Sequence, residues 1–457
     1  MAGPIKTRYT IVGAGIAGIA AAEAIRELDR SGPLLVVNGE GVAPYCRPLT
    51  VEVLTDEKTP EEICLREAQW FSERKITIVT GDPVAELRAP TKQLLLATGQ
   101  VVAWEKLLVA VGSQPAGVRI AGLEQVPCFT LFTQADAARL KPLCKPGAQA
   151  LVVGIGLIGL QALTALRRRG VSVVAVEVAP KVLPMILDAE AAGYAQRRLE
   201  QHGIDVRVGT SVQELRPVAG GRRPYQALTS TGEVLDFDFL VMAVGMQPNL
   251  ILADRAGIAR GRGIRVSPTM QTSIPDIYAA GDVTEYPDWI EGGEEVHAHW
   301  VNAYRQGRIA GRHMAGGDPP PCEPVFLNSL RVFDLPIITM GASRRDALEG
   351  AEAFVAAAPA RPAYRRLLVR DGRLIGATFV NDVGEAGVFQ YLMQNRINIG
   401  EVAEELVNRG RKAFEFLDEL HRQVVRGDLE WAPSMDLISE YRKNHRHTRW
   451  GHNEPEK

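Results

Sequence analysis

Apolar residues in this chain come in short blocks, and the first three blocks set a pattern. The run Tyr9 to Gly13 predicts a strand, the alanine-rich stretch near Ile16 to Leu28 a helix, and Leu34 to Val37 a second strand, a β-α-β unit. The pattern returns in "ALVVGIGLIGLQALTAL", which is followed by the strand Val171 to Val176. Two further blocks, "KLLVAVGSQP" (Lys106 to Pro115) and "FLVMAVGMQPN" (Phe239 to Asn249), nearly repeat each other, and each reads as a strand leaving a nucleotide domain through a glycine turn and a proline. "TSIPDIYAAGDV" (Thr272 to Val283) predicts a strand that presents Asp282, with a helix near His299 to Met314. After the linker-like "GGDPPPCEP" come a hairpin turned at Asp371 and Gly372 and a helix near Ala386 to Gln394. From Ile399 the spacing of Val402, Leu406, Phe414, Leu417, Leu420 and Val424 is helical, and the chain ends in a polar tail.

Between strand and helix in each β-α-β unit lies the same glycine spacing: Gly13, Gly15 and Gly18, then Gly154, Gly156 and Gly159. In that context the backbone approaches a pyrophosphate closely and a helix N-terminus faces it. Two units predict two dinucleotides, a flavin that stays bound and a nicotinamide that exchanges, and hence electron transfer. Glu177 ends the second unit's strand, 23 positions after Gly154. A carboxylate there accepts from a ribose diol and repels a 2′-phosphate, so NAD(H) is expected over NADP(H), with Lys181 close by as the opposing influence. In the first unit the acidic residue is displaced to Glu40, the candidate for the adenosine ribose. Asp282 suits a polyol hydroxyl beside a helix N-terminus.

With 52 Lys plus Arg against 54 Asp plus Glu, the charge balance gives no case for nucleic acid or an anionic membrane as the main partner. The apolar stretch Ala150 to Leu166 holds three glycines and Gln161 and reads as a buried strand, turn and helix, so no membrane span is expected. The N-terminus runs almost directly into the first strand without a signal-peptide pattern, and a cytoplasmic protein is expected. Cys46, Cys64, Cys128, Cys144 and Cys322 show no C-x-x-C pair and no metal-ligand spacing, which predicts neither an internal iron–sulfur cluster nor a metal site. His297 and His299 lack an apparent third ligand and read as structural or flavin-adjacent.

The glycine motifs, "APYCRP", "VAVGSQP", Glu177 and "IYAAGDV" occur in an order that resembles the FAD-dependent pyridine nucleotide-disulfide oxidoreductase superfamily. The likeness is to its branch without a redox disulfide, which includes ferredoxin and rubredoxin reductases, the flavin half of nitrite reductases and flavoprotein partners of carbon monoxide dehydrogenase. It covers about residues 8 to 400 and implies an α/β protein: two three-layer Rossmann-like domains, a C-terminal α/β interface domain and a helical extension. The expected boundaries are 1–112 with 246–323 for FAD, 113–245 for NAD(H), 324–400 for the interface domain and 401–457 for the extension. For FAD the resemblance implies Gly13, Gly15, Gly18, Glu40, Arg47, Pro48, Gly112, Gly281, Asp282 and Trp300, with Tyr45 nearby. For NAD(H) it implies Gly154, Gly156, Gly159, Gln161, Glu177 and Gly245. Where the family's ferredoxin reductases often carry a lysine–glutamate pair beside the flavin, this chain has Glu52 and Gln161. Gln161 thus becomes a possible nicotinamide contact.

A nicotinamide gives up two electrons at once and an iron–sulfur centre takes one at a time, and flavin chemistry spans both. The leading expectation is therefore an NAD(H) oxidoreductase serving an external iron–sulfur protein or similar carrier, with no confident catalytic side chain. A second is a thiol-based NADH oxidase or CoA-disulfide reductase, in which Cys46 would need a lowered pKa supplied by Arg47. A third is a flavoprotein subunit with a mainly structural or sensing role. The chain would act as a homodimer or as part of a larger assembly. The basic run Arg442 to Arg449 makes residues 430–457 a candidate docking arm for an acidic partner.

Overall fold

The computed structural model describes residues 3–324, 326–358, 363–408 and 412–426, so the basic run and the docking arm of residues 430–457 lie outside the described residues. One compact unit runs through Asp346 and a second begins at Ala347.

The first unit contains two parallel sheets. In one, Ile5–Val12 lies between Leu34–Asn38 and Val101–Val109, with Ile76–Thr80 beyond Leu34–Asn38. The far flank of Val101–Val109 is shared: its start pairs antiparallel with Gln93–Leu96, and its end pairs parallel with Ile277–Ala279. These strands read as unbroken apolar runs because both faces are covered, and Leu34, Leu35, Val36 and Val37 are all buried. The second sheet has the order Ile204–Arg207, Ser172–Val176, Gln149–Val153, Phe239–Met242, Cys128–Phe129, parallel throughout. A three-stranded antiparallel sheet (Val212–Pro217, Tyr225–Thr229, Val234–Phe237) packs with it.

The two repeated exits meet. Ser113–Pro115 and Met246–Pro248 pair antiparallel, with Gln114 opposite Gln247. Both chain crossings between the halves therefore run side by side.

Helix Trp300–Met314 lies on helix Ile16–Leu28 at very close range. A Cβ built on Gly307 would stand 2.1 Å from the Ala17 carbonyl oxygen, and one on Gly311 would stand 2.4 Å from that of Ala21. Only glycine at these two places, one turn apart, lets the backbones approach so far. The contact buries Ala17 through Ala22 and seals the first glycine-motif helix inside the protein.

In the second unit Ala351–Ala358, Ala363–Arg370 and Arg373–Val380 form an antiparallel meander. Its expected tight turn is present, with Asp371 at φ 51° and Gly372 at φ 73°, as a two-residue hairpin requires. Helix Ala386–Gln394 matches expectation residue for residue. The helical pattern from Ile399 differs from it: the described part forms two helices, Ala403–Val407 and Ala413–Arg426. In the second of these, Ala413 and Phe416 are buried while Phe414 is 58% exposed. A charge cluster around the buried Arg365 meets the start of this helix. Arg365 donates to Asp382 (2.9 Å) and Glu385 (2.8 Å), and Glu385 accepts from the Ala413 backbone N–H (3.0 Å) at the first residue of the helix. Among the described residues no helix is long and apolar enough to cross a membrane.

Candidate functional site

The ends of both parallel sheets open on one cavity of about 1300 Å³. It exceeds the roughly 300–1000 Å³ of ordinary small-ligand pockets.

The two glycine motifs build opposite walls in the same way. Gly13 has φ 107°, and a Cβ there would sit 2.2 Å from the Ala110 carbonyl oxygen; Gly154 has φ 97°, with 2.3 Å to that of Ala243. Gly18 and Gly159 lie under their turns, where a Cβ would come 1.9 and 2.0 Å from the carbonyl oxygens of Gly13 and Gly154. The middle glycines differ. Around Gly15 and Gly156 there is nothing within 4 Å of a built Cβ, and both line the cavity. Each is also the N-cap of its helix, with no side chain capping the first N–H groups and no acidic residue in the first turn. Each turn therefore presents uncapped N–H groups and empty space to an anion, a cradle that fits a dinucleotide pyrophosphate. Gly112 and Gly245 repeat the match at the exits, both at positive φ with open space beyond.

Asp282 sits deep in the wall and accepts from the Ser113 hydroxyl (3.1 Å). Burial pushes its carboxyl up, against the lowering by Ser113 and Arg47. Its turn is held from behind by Gln306, whose Oε1 accepts from the Gly281 N–H (2.7 Å) and the Thr284 hydroxyl (3.1 Å). A half-buried carboxylate with one hydroxyl partner has acceptor capacity left for a polyol.

Glu40 lines the cavity but is not a free loop carboxylate. It pairs with Arg47 and accepts from the Tyr45 hydroxyl (2.8 Å). Arg47 in turn lies over the Phe132 ring at 4.4 Å. Glu177 is buried at a strand end, where its two oxygens accept from the Ile155 (2.8 Å) and Ala179 (2.9 Å) N–H groups. Those bonds fix the carboxylate at the cavity wall with lone pairs to spare. Lys181 points elsewhere, to Asp346 (3.3 Å) and the Arg344 carbonyl (3.4 Å), and so does not offset Glu177.

Gln161, Pro48 and Trp300 line the cavity, whereas Glu52 sits on Thr50–Leu54 and reaches Lys58 at 3.9 Å. Cys46 departs from the thiol expectation. Burial pushes its thiol up and Glu52 adds to that, against the lowering by the Leu49 N–H, while the neighbouring Arg47 guanidinium pairs with Glu40. Cys46 is not among the residues that line the cavity, although its neighbours Tyr45, Arg47 and Pro48 are. His297 and His299 are half-buried, desolvation pushes both imidazoles below their ordinary value, and no cluster of metal-ligating side chains occurs among the described residues. Sequence reasoning missed Gln306, Phe132 and Thr133. Thr133 carried a legible signal, the Thr-x-x-Asp capping box closed by Asp136.

Two matched glycine turns thus face one cavity. Residues 7–307 match the family model described as pyridine nucleotide-disulphide oxidoreductase, and residues 327–397 match the rubredoxin NAD+ reductase C-terminal domain. The chain is 30% identical over 404 residues to the NADH-dependent phenylglyoxylate dehydrogenase subunit epsilon of Aromatoleum evansii, covering 88% of this chain and 94% of the relative. It is 32% identical over 320 residues to an NADH oxidase of Methanocaldococcus jannaschii, covering 68% and 70%. Other relatives, at 27–30% identity, are named as ferredoxin–NAD(+) and rubredoxin reductases. The crystal structure of the covalent putidaredoxin reductase–putidaredoxin complex shares the fold at a TM-score of 0.81 and 22% identity, over 90% of this chain and 98% of that one. The chain belongs to the pyridine nucleotide-disulphide oxidoreductase family. It is an oxidoreductase, and its cofactors are FAD and NAD(H).

Proposed function

We propose that this chain passes electrons between NAD(H) and an external iron–sulfur protein, either free or within a larger enzyme. The observation that carries this is the pairing of two open glycine cradles on one cavity that is not built around a reactive thiol. FAD, when bound, supplies the exchange between two-electron and one-electron transfer.

The chain's own residues bind and orient. Gly13, Gly15 and the Ile16–Leu28 helix N-terminus hold the flavin pyrophosphate; Glu40, braced by Arg47, takes the adenosine ribose, and Asp282 the polyol chain. Arg47, Pro48, Gly112, Gly281 and Trp300 complete that side. Gly154, Gly156 and Gly159 form the second cradle, Glu177 accepts the ribose diol of NAD(H), and Gln161 with Gly245 positions the nicotinamide. The FAD domain then comprises residues 1–112 and 246–323, the NAD(H) domain 113–245 and the interface domain 324–400. The acceptor approaches at Trp300, which is 42% exposed on the cavity rim and stacked on Tyr304. A subunit role within an assembly agrees with the relative named as a dehydrogenase subunit.

Anaerobic titration of the purified protein with NADH and NADPH tests the reading. NADH should bleach the oxidised flavin spectrum at far lower concentration than NADPH, without a lasting thiol-to-flavin charge-transfer band. Persistence of that band, or absence of flavin, overturns it.

A further inference from the structure

The cavity wall carries three carboxylates, Glu40, Glu177 and Asp282, and among the described residues only two cations, Arg47 and Arg119. Arg47 is committed to Glu40. Arg119 is exposed, and no hydrogen bond or ion pair engages it among the described residues. Two bound dinucleotides bring two pyrophosphates into a cavity whose side chains already lean negative, so one uncommitted guanidinium there has an electrostatic purpose.

The backbone says which dinucleotide it faces. Ala121 bridges to Glu214, and its carbonyl accepts from the Leu215 N–H (2.8 Å). Gly122, at φ 77°, lets the chain press onto that strand, since a Cβ there would lie 1.9 Å from the Leu215 oxygen. The Val118–Ile120 stretch is thereby pinned to the second half, on the strand whose start, Val212, lines the cavity with Thr210 and Ser211. Thr210 in turn donates its N–H to the Glu177 carbonyl (2.9 Å). Arg119 thus shares a wall with Glu177.

We infer that Arg119 is the cationic contact for the phosphates of the exchanging nicotinamide dinucleotide. The inference rests on the reading that the second glycine motif holds NAD(H). It gives the second half one carboxylate that selects the ribose and one cation that captures the phosphates, from segments about sixty residues apart in the chain.

Binding of ADP-ribose, AMP and adenosine to the oxidised flavoprotein, measured by calorimetry, tests it in the wild type and in Arg119→Gln and Arg119→Lys. In Arg119→Gln, ADP-ribose affinity should fall about tenfold, its salt dependence should flatten, and adenosine binding should hold. Arg119→Lys should recover most of the loss, and both variants should retain flavin. Equal ADP-ribose affinity in wild type and Arg119→Gln overturns the inference alone. Flavin loss from Arg119→Gln overturns it by placing the residue on the other dinucleotide. A wild type that binds no ADP-ribose overturns the reading of the second motif as well.

Discussion

The two glycine turns share a backbone down to the tenth of an ångström in their closest approaches, yet the helices that follow them live in different surroundings. Helix Ile16–Leu28 is covered by Trp300–Met314, and nearly all of its first ten residues are buried. Helix Leu157–Arg168 meets the much shorter helix Thr50–Leu54 instead: Leu157 is 40% exposed, and the cavity rim carries Val178 at 72% and Met185 at 65%. Exposed apolar residues around a cavity mouth mark a surface that waits for a ligand. On the proposed assignment, the same turn serves a nucleotide that stays and one that exchanges, and what packs on the helix behind it is what differs.

Replacing each motif's first glycine tests that contrast most severely. Gly13→Val and Gly154→Val meet the same clash with a carbonyl oxygen and the same left-handed φ. Gly13→Val should yield protein without flavin, or none folded, by absorbance of the purified material. Gly154→Val should be purified with flavin that NADH no longer bleaches. Equal flavin loss in both would erase the distinction.

A smaller effect is expected at Glu177. Glu177→Ala removes the diol acceptor and leaves the Ile155 and Ala179 N–H groups without their partner. The ratio of kcat/KM for NADH to that for NADPH should drop by about tenfold, roughly 1.4 kcal/mol, while flavin content stays constant. An unchanged ratio would return selectivity to some other residue.

The smallest effect concerns the covered side and is read in pH. Burial, helped by His297, pushes His299 down to about 4 from 6.5. The unfolded chain takes up the proton near pH 6.5 and the folded chain only near 4. Stability from this group is therefore intact above 6.5 and falls as pH drops toward 4. His299→Gln should flatten that part of the thermal-stability profile, as followed by flavin release. An equally steep profile in the variant would show that other groups govern it.

What was legible in the sequence was local. The glycine spacings, the two exits, Glu177 at its strand end and the Asp371–Gly372 turn each fit within one short window whose residue types leave few backbone choices. The illegible parts join distant segments: Gln306 to the Gly281 N–H, Ser113 to Asp282, and Gly307 and Gly311 onto Ala17 and Ala21. Cys46 shows the same limit from the other side. Its neighbour Arg47 promised a lowered pKa, but a guanidinium on a flexible stem chose Glu40, seven residues back. The start of helix Ala413–Arg426 likewise meets Glu385, a contact that no periodicity announces.

The antiparallel pairing of Gln114 with Gln247 carries a consequence for engineering. The chain departs from the first half and returns to it at hydrogen-bonded neighbours, so everything between forms an excursion with its ends already joined. Such an excursion adds little closure cost to the fold that hosts it, since that cost grows only with the logarithm of loop length. The second half has the topology of a cassette: it could be exchanged for a relative's, or cut out and bridged by a short turn, leaving the first half and its glycine turn as the remainder.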